Sequence, residues 1–263
     1  TGTATSGAQG DINGVNGTIS GGFKIPTFCI SNLQDCWELT AKAVEAAIRL
    51  RTPVVLLSSK EMVMTQMSFD LSGLSNIEKV AWKMYEDTQE YKTYATDEQL
   101  IPAFLPVTQN KHQVRFTAST HDQSGILQNT SPEALNNSTR LKTKLDLHIN
   151  DYLFYSYDAE KGAETIVFSF DITAQASREA VLLLRQEGHK VSLLIAKTLF
   201  PIPEIYPQIL TNNKKIVVAE ENLDGQYKHL LFGSHPGSHI KSVNAFGRMI
   251  QPEEIMEEVK NNG

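Results

Sequence analysis

At 263 residues, 41% of them apolar and 21% charged, the chain has material for one large domain or two ordinary ones with real cores. A formal charge of −6 and the lack of any Lys/Arg run exclude a phosphate-backbone binder, which needs a concentrated cationic face. Cys29 and Cys36, the only cysteines and in no CxxC pattern, cannot supply an iron–sulfur cluster or a Cys-based zinc site, and a reducing cytoplasm is the expected location.

The chain opens with "TGTATSGAQGDINGVNG", which reads as a Gly/Ser/Thr-rich loop. No GxxxxGK[ST] occurs anywhere, and no GxGxxG follows a strand, so neither phosphate-cradling fingerprint is present. "SNLQDCWELTAKAVEAAIRL" has cap residues at Ser31 and Asn32, followed by Leu33, Cys36, Trp37, Val44, Ala47 and Ile48 at helical spacing. Pro53 and the apolar run "VVLLSS" then predict a buried strand, which makes the grammar that of an α/β layer.

From about 61 to 162 the periodicity loosens. "NIEKVAWKMYEDTQEYKTY" allows one amphipathic helix, and the remainder is polar and irregular, as expected of an arm lying over other surfaces. After Lys161-Gly162 the alternation returns. "ETIVFSF", "KVSLLIA", "KIVVAEE" and "KSVNAFG" predict strands. "AQASREAVLLLRQEG", residues 204–210 and "QPEEIMEEV" predict helices, the last with Pro252 in its first turn. The expected organisation is residues 1–60 as part of one α/β domain, 61–162 as a connecting arm, and 163–263 as a second α/β domain on a parallel sheet.

Chemistry-bearing groups are few. There is no GxSxG elbow for a serine nucleophile. His229, His235 and His239 lie close in sequence but lack an acidic ligand at a useful spacing, and a solvated loop is expected. Glu220 and Glu221 end a predicted strand. Adjacent strand residues point to opposite faces, so they form no acid–base dyad, and capping or interface contacts are expected of them. His121 and Asp122, in "STHDQSG", read as a structural turn. The residues alone reach two α/β units and a long arm, without a visible catalytic set.

"TGTATSGAQGDI" resembles the T-G-x-P-T-x-x-x-Q-G-D-L signature of the α subunits of 2-oxoacid:ferredoxin oxidoreductases, with Thr1, Gly2, Thr5, Gln9, Gly10 and Asp11 on it and Ala4 in place of the proline. "THDQSG" is similar to that family's E-H-D-E-x-G turn, "AEENLDGQ" to its E-E-N-x-x-G-Q, and "GRMIQPEEI" to its closing G-R-x-I-x-P-E-E-I. The matches fall in the right order along nearly the whole chain. The resemblance implies a fold built of the C-terminal half of a thiamine-enzyme pyrimidine-binding domain, a long connecting arm, and a transketolase C-terminal-like α/β domain. It also implies that the other half of the first domain, carrying the glutamate that activates thiamine diphosphate, precedes Thr1.

The activity the resemblance implies is oxidative decarboxylation of a 2-oxoacid such as pyruvate or 2-oxoglutarate, giving acyl-CoA with electrons to ferredoxin. Thiamine diphosphate and Mg would be shared with a β partner subunit that also holds the iron–sulfur cluster, in a cytoplasmic hetero-oligomer inactive when this chain is alone. Thr5 would contact substrate, while Thr1, Gly2, Gln9 and Asp11 would shape the motif loop. Two alternatives stay open at this level. One is a subunit of another thiamine-diphosphate enzyme, of the 2-oxoacid dehydrogenase or transketolase type; the other is a non-catalytic assembly protein on the same fold.

Overall fold

The structure is a computed structural model, and it describes residues 9–261. The first elements are helix α1 (Ile12–Asn16), strand β1 (Thr27–Cys29), helix α2 (Leu33–Leu50), strand β2 (Val55–Leu57) and the short helix α3 (Lys60–Met64). Helix α4 (Pro132–His148) follows after a long irregular stretch broken by a 3-10 turn at Leu71–Gly73. Then come β3 (Tyr155–Asp158), β4 (Thr165–Phe170), α5 (Thr173–Gln186), β5 (Val191–Ala196), β6 (Thr198–Phe200), α6 (Ile205–Leu210), β7 (Lys215–Glu220), α7 (Gln226–Phe232), β8 (Ile240–Asn244) and α8 (Pro252–Lys260).

The strands form two sheets. The larger has the order β3-β5-β4-β7-β8, with β5, β4, β7 and β8 parallel and β3 antiparallel at one edge. Its central strands β4, β5 and β7 are largely apolar on both faces, as a covered parallel sheet requires. Alternation sorts them: Val167, Leu193, Ile195, Val217 and Ala219 face α5 and α8. Ile166, Phe168, Leu194, Ile216 and Val218 pack instead with Ile12, Cys29, Tyr206 and Tyr227 on the other side. The smaller sheet, β2-β1-β6, joins β1 and β2 in parallel and takes β6 antiparallel.

The boundary expected at residue 163 is therefore crossed twice. β3, ahead of it, is an edge strand of the larger sheet, and β6, beyond it, completes the smaller one.

Helix α2 begins where the cap residues place it, with the Asn32 side chain accepting from the Asp35 amide at 2.8 Å. Its buried stripe is Leu39, Ala43, Ala46 and Leu50, not the stripe proposed from spacing, and Trp37 and Val44 of that stripe are exposed. The reason is the small-residue face: Ala43 and Ala46 let α2 approach Phe28, Leu145 and Tyr152 closely.

The helix expected within "NIEKVAWKMYEDTQEYKTY" does not form. Its backbone pairs across the chain instead: Tyr85 N–H donates to Phe104 O at 2.9 Å and Phe104 N–H to Lys83 O at 2.7 Å. Trp82 stacks on Phe104 with centroids 4.7 Å apart. These aromatic contacts outweigh a modest helical propensity.

The ordered helix of this region is α4, opened by Ser131 as cap and Pro132 in the first turn. Lys144 on α4 is buried and donates to Leu50 O at 2.7 Å, placing a cation at the C-terminal end of α2; burial lowers its pKa to about 8. The arm is thus docked on α2 by this helix and by its irregular segments, with Trp37 Nε1 donating to Ser75 O at 2.9 Å and Arg51, the C-cap of α2, donating to Ala103 O at 2.6 Å.

Among the described residues, no helix is long and apolar enough to cross a membrane.

Candidate functional site

The C-terminal ends of the parallel pair β1 and β2, at Cys29 and Leu57, meet the C-terminal end of β4 at Phe170, and β4's parallel neighbour β7 ends at Glu220. Such strand ends are where α/β sheets bind ligands, because the loops beyond them are free to vary. Into this convergence runs the "QGD" segment. Thr1, Gly2 and Thr5 lie outside the described residues; Gln9 and Asp11 lie within them.

Gln9 is buried and bonds through both ends of its side-chain amide and both of its backbone groups. Its amide nitrogen donates to Phe170 O at 2.9 Å, and its side-chain oxygen accepts the Glu221 N–H at 2.8 Å. Its backbone N–H donates to Glu221 O at 2.7 Å, and its carbonyl accepts from Asn222 Nδ2 at 3.2 Å. Gln226 continues the joint, donating from Nε2 to Gly10 O at 3.1 Å and accepting the Asn13 N–H at 3.0 Å. The sequence segments "QGD" and "EENLDGQ", some 212 residues apart, are thus one structure. Asp11 is the cap residue of α1 and lines, with Gln9, Ser58, Ser59 and Asp171, a cleft of about 20 Å³, room for about one water.

The adjacent acids divide as strand alternation requires. Glu220 turns toward α7 and accepts from the Tyr227 and Lys228 amides at 2.9 and 3.0 Å, so it caps that helix. Gly225 leads into α7 with φ 65°, a left-handed turn that suits glycine, and an added Cβ there would press on Lys228. Glu221 turns the other way. Its Oε1 accepts from the Ile250 amide at 3.1 Å and the Thr173 hydroxyl at 3.3 Å, while Oε2 is buried with no hydrogen-bond partner among the described residues. Burial, reinforced by the Asp171 charge, raises its pKa to about 7.

Asp171 was not singled out by the sequence. It occupies the turn from β4 into α5 with φ 52°, a left-handed conformation that aspartate tolerates and that clusters at functional sites. Its carboxylate accepts the Ser59 N–H at 2.9 Å, and burial raises its pKa. The only sequence signal was an Asp directly after a strand and before a helix.

The other candidates form no second site. Asp122 accepts the Ser124 and Ile126 amides, both at 2.9 Å, which builds a turn and lowers its pKa. Gly125 completes that turn at φ 79°, where a Cβ would lie 2.9 Å from Arg115 O. His121 packs against the Tyr94 ring. Among the described residues no group of three or more His, Cys, Asp or Glu side chains is placed to hold a metal ion, His229, His235 and His239 included.

Residues 1–140 match the family profile described as pyruvate flavodoxin/ferredoxin oxidoreductase, thiamine-diphosphate-binding. The chain is 25% identical, over 97% of its length and 68% of the relative's, to the 2-oxoglutarate synthase subunit KorA of Methanocaldococcus jannaschii. It is 23% identical to the ketoisovalerate oxidoreductase subunit VorB of Methanothermobacter thermautotrophicus, over 96% of its own length and 64% of that protein's. Its fold superposes with a TM-score of 0.78 on a solved chain of the 2-oxoglutarate:ferredoxin oxidoreductase from Magnetococcus marinus, at 22% identity, covering 97% of this chain and 45% of that one.

Proposed function

The chain belongs to the pyruvate flavodoxin/ferredoxin oxidoreductase family matched by its thiamine-diphosphate-binding domain, and from that premise we propose that it is a subunit of an enzyme that oxidatively decarboxylates a 2-oxoacid to acyl-CoA and CO2, with electrons passed to ferredoxin. The observation that carries this reading is the joint itself. The segment resembling the family's substrate loop is bonded through Gln9, Gly10 and Asn13 to the "EENLDGQ" segment at the strand ends. A joint so fixed gives the residues it holds a single position, which substrate orientation requires.

Thiamine diphosphate supplies, when bound, a carbon nucleophile for the 2-carbonyl. In this reading thiamine diphosphate and its Mg are shared with a β partner subunit, which also holds the iron–sulfur cluster. This chain's part is to hold the substrate loop and bury polar groups around it. 2-Oxoglutarate is the substrate to test first, because the relatives named above include a 2-oxoglutarate synthase subunit. The isolated chain is expected to turn over no 2-oxoacid and to lack cluster absorbance in the visible; turnover by the chain alone would overturn the division of labour.

Thr5 is the proposed substrate contact. A hydroxyl donating to a carboxylate contributes on the order of 1.5–3 kcal/mol. Thr5→Ala in the assembled enzyme should therefore lower kcat/KM by roughly 10- to 150-fold, at about 1.4 kcal/mol per tenfold. The loss should vary among 2-oxoacids, since a side chain beside the substrate senses its tail. An equal loss for every substrate together with a lower melting temperature would make Thr5 structural and remove it from the pocket.

A further inference from the structure

Two acids meet beneath Gln9 where the fold gives them little positive charge. Asp171 and Glu221 follow the neighbouring parallel strands β4 and β7, and they are 3% and 1% exposed. Both are tied to the same side chain. The Gln9 amide bonds to Phe170, the residue before Asp171, and to the backbone of Glu221 itself.

The other charged groups facing them come from several elements. Asp11 lines the cleft with Asp171, and Glu61 of α3 adds a like charge felt at Glu221. The Cys29 thiol on β1 is buried and neutral, its pKa raised by burial first and by Asp171 next. Arg248 is the cation on the Glu221 side, and its guanidinium is engaged by Glu254 at 2.6 Å. Beyond Cys29, Asp35 is already paired with Lys197 at 2.6 Å. Glu220 belongs to the opposite face of its strand, capping α7.

An ionised Glu221 would place a second negative charge beside Asp171 with one oxygen left without a donor, which a dry site tolerates poorly. We propose that Glu221 is held as a neutral carboxylic acid beneath Gln9, and that its ionisation beside Asp171 loosens the joint between the "QGD" and "EENLDGQ" segments. The pair is then a pH-sensitive clasp on the residues that anchor the motif loop. This inference concerns the joint alone and holds whatever reaction the assembled enzyme performs.

The direction of the raised pKa fixes the sign. The unfolded chain releases the Glu221 proton near 4.5, and the folded chain keeps it to about 7. The stabilisation this group contributes is full below about 4.5 and is lost as pH rises through about 7. Over that window the folding equilibrium should weaken by roughly 10- to 300-fold, the upper figure corresponding to the whole displacement.

The test is a pH series of urea unfolding on the 263-residue chain and on its Glu221→Gln variant, whose side chain stays neutral at every pH. The wild type should lose stability across the window, and Glu221→Gln should show a flatter profile that crosses above it at the alkaline end. Hydrogen exchange corrected for intrinsic rate should show protection at the Gln9 and Glu221 amides falling in the wild type over the same range. A second readout is infrared. The protonated-carboxyl stretch present in the folded wild type and missing from Glu221→Gln should persist up to about pH 7 and vanish above it. A variant with the same pH slope as the wild type, or a wild type without the protonated-carboxyl band near neutrality, would overturn the proposal.

Discussion

Asp35→Ala should cost the chain about 3–5 kcal/mol of stability, the usual cost of removing one partner from a buried ion pair. Asp35 is buried at the start of α2, where it accepts from the Ser31 amide at 2.8 Å, the Ser31 hydroxyl at 2.6 Å and Lys197 Nζ at 2.6 Å. Lys197 lies between β5 and β6, so one carboxylate ties α2 to the seam between the two sheets. Arg178 of α5 donates to Ser31 O at 3.0 Å and to Ser31 Oγ at 3.1 Å, so the clamp reaches a third element. Alanine leaves a largely buried ammonium without its counter-charge. Urea unfolding of the variant measures the cost, and Asp35→Ala with Lys197→Met should recover part of it, since the stranded charge is then gone. A single-variant loss under about 1 kcal/mol would mean that Lys197 reaches water and the clamp is a surface pair.

Gln9→Leu should destabilise the chain by about 2–5 kcal/mol, because it keeps the bulk and removes both side-chain bonds. The Phe170 carbonyl and the Glu221 N–H are left buried and unpaired, each at about 1–3 kcal/mol. Gln226→Leu is the internal control. Its bonds to Gly10 and Asn13 are nearer to water, so its loss should be smaller. In the assembled enzyme Gln9→Leu should also raise KM for the 2-oxoacid if the joint positions the motif loop. Full stability in Gln9→Leu would show that water replaces the amide and that the joint is not a structural fixture.

How legible this was differs along the chain for physical reasons. Strands β4, β5 and β7 were readable because a covered parallel sheet demands near-continuous apolar runs, and Ile166 through Phe170 supply one interrupted only by Ser169. Helix α8 announced itself with Pro252 and a capping box between Gln251 and Glu254. The arm was less readable. Trp82, Tyr85 and Phe104 take their order from one another rather than from a local period, and α4 is too polar on average to stand out.

The site was the least legible part. Gln9 is an ordinary polar residue until Glu221 is brought beside it, and Asp35 reads as a favourable acid in a first helical turn until Lys197 arrives from 162 residues away. Local pattern carries no trace of either partner. The motif resemblance located the segments, and the geometry says what holds them together.

The exchange of strands across residue 163 bears on how the protein can be handled. A fragment starting at 163 would strip β3 from β5 and leave Val191–Ala196, apolar but for Ser192, as a bare edge. It would also part β6 from β1, freeing the backbone around Lys197, whose carbonyl now accepts the Cys29 N–H at 2.6 Å. Exposed edges of that kind are templates for pairing with another chain. Such a fragment is expected to self-associate at concentrations where the whole chain stays dispersed. Starting the fragment at 153 would keep the first edge covered, because Phe154 and β3 come with it, and would leave only the β6 side to recruit a stray strand.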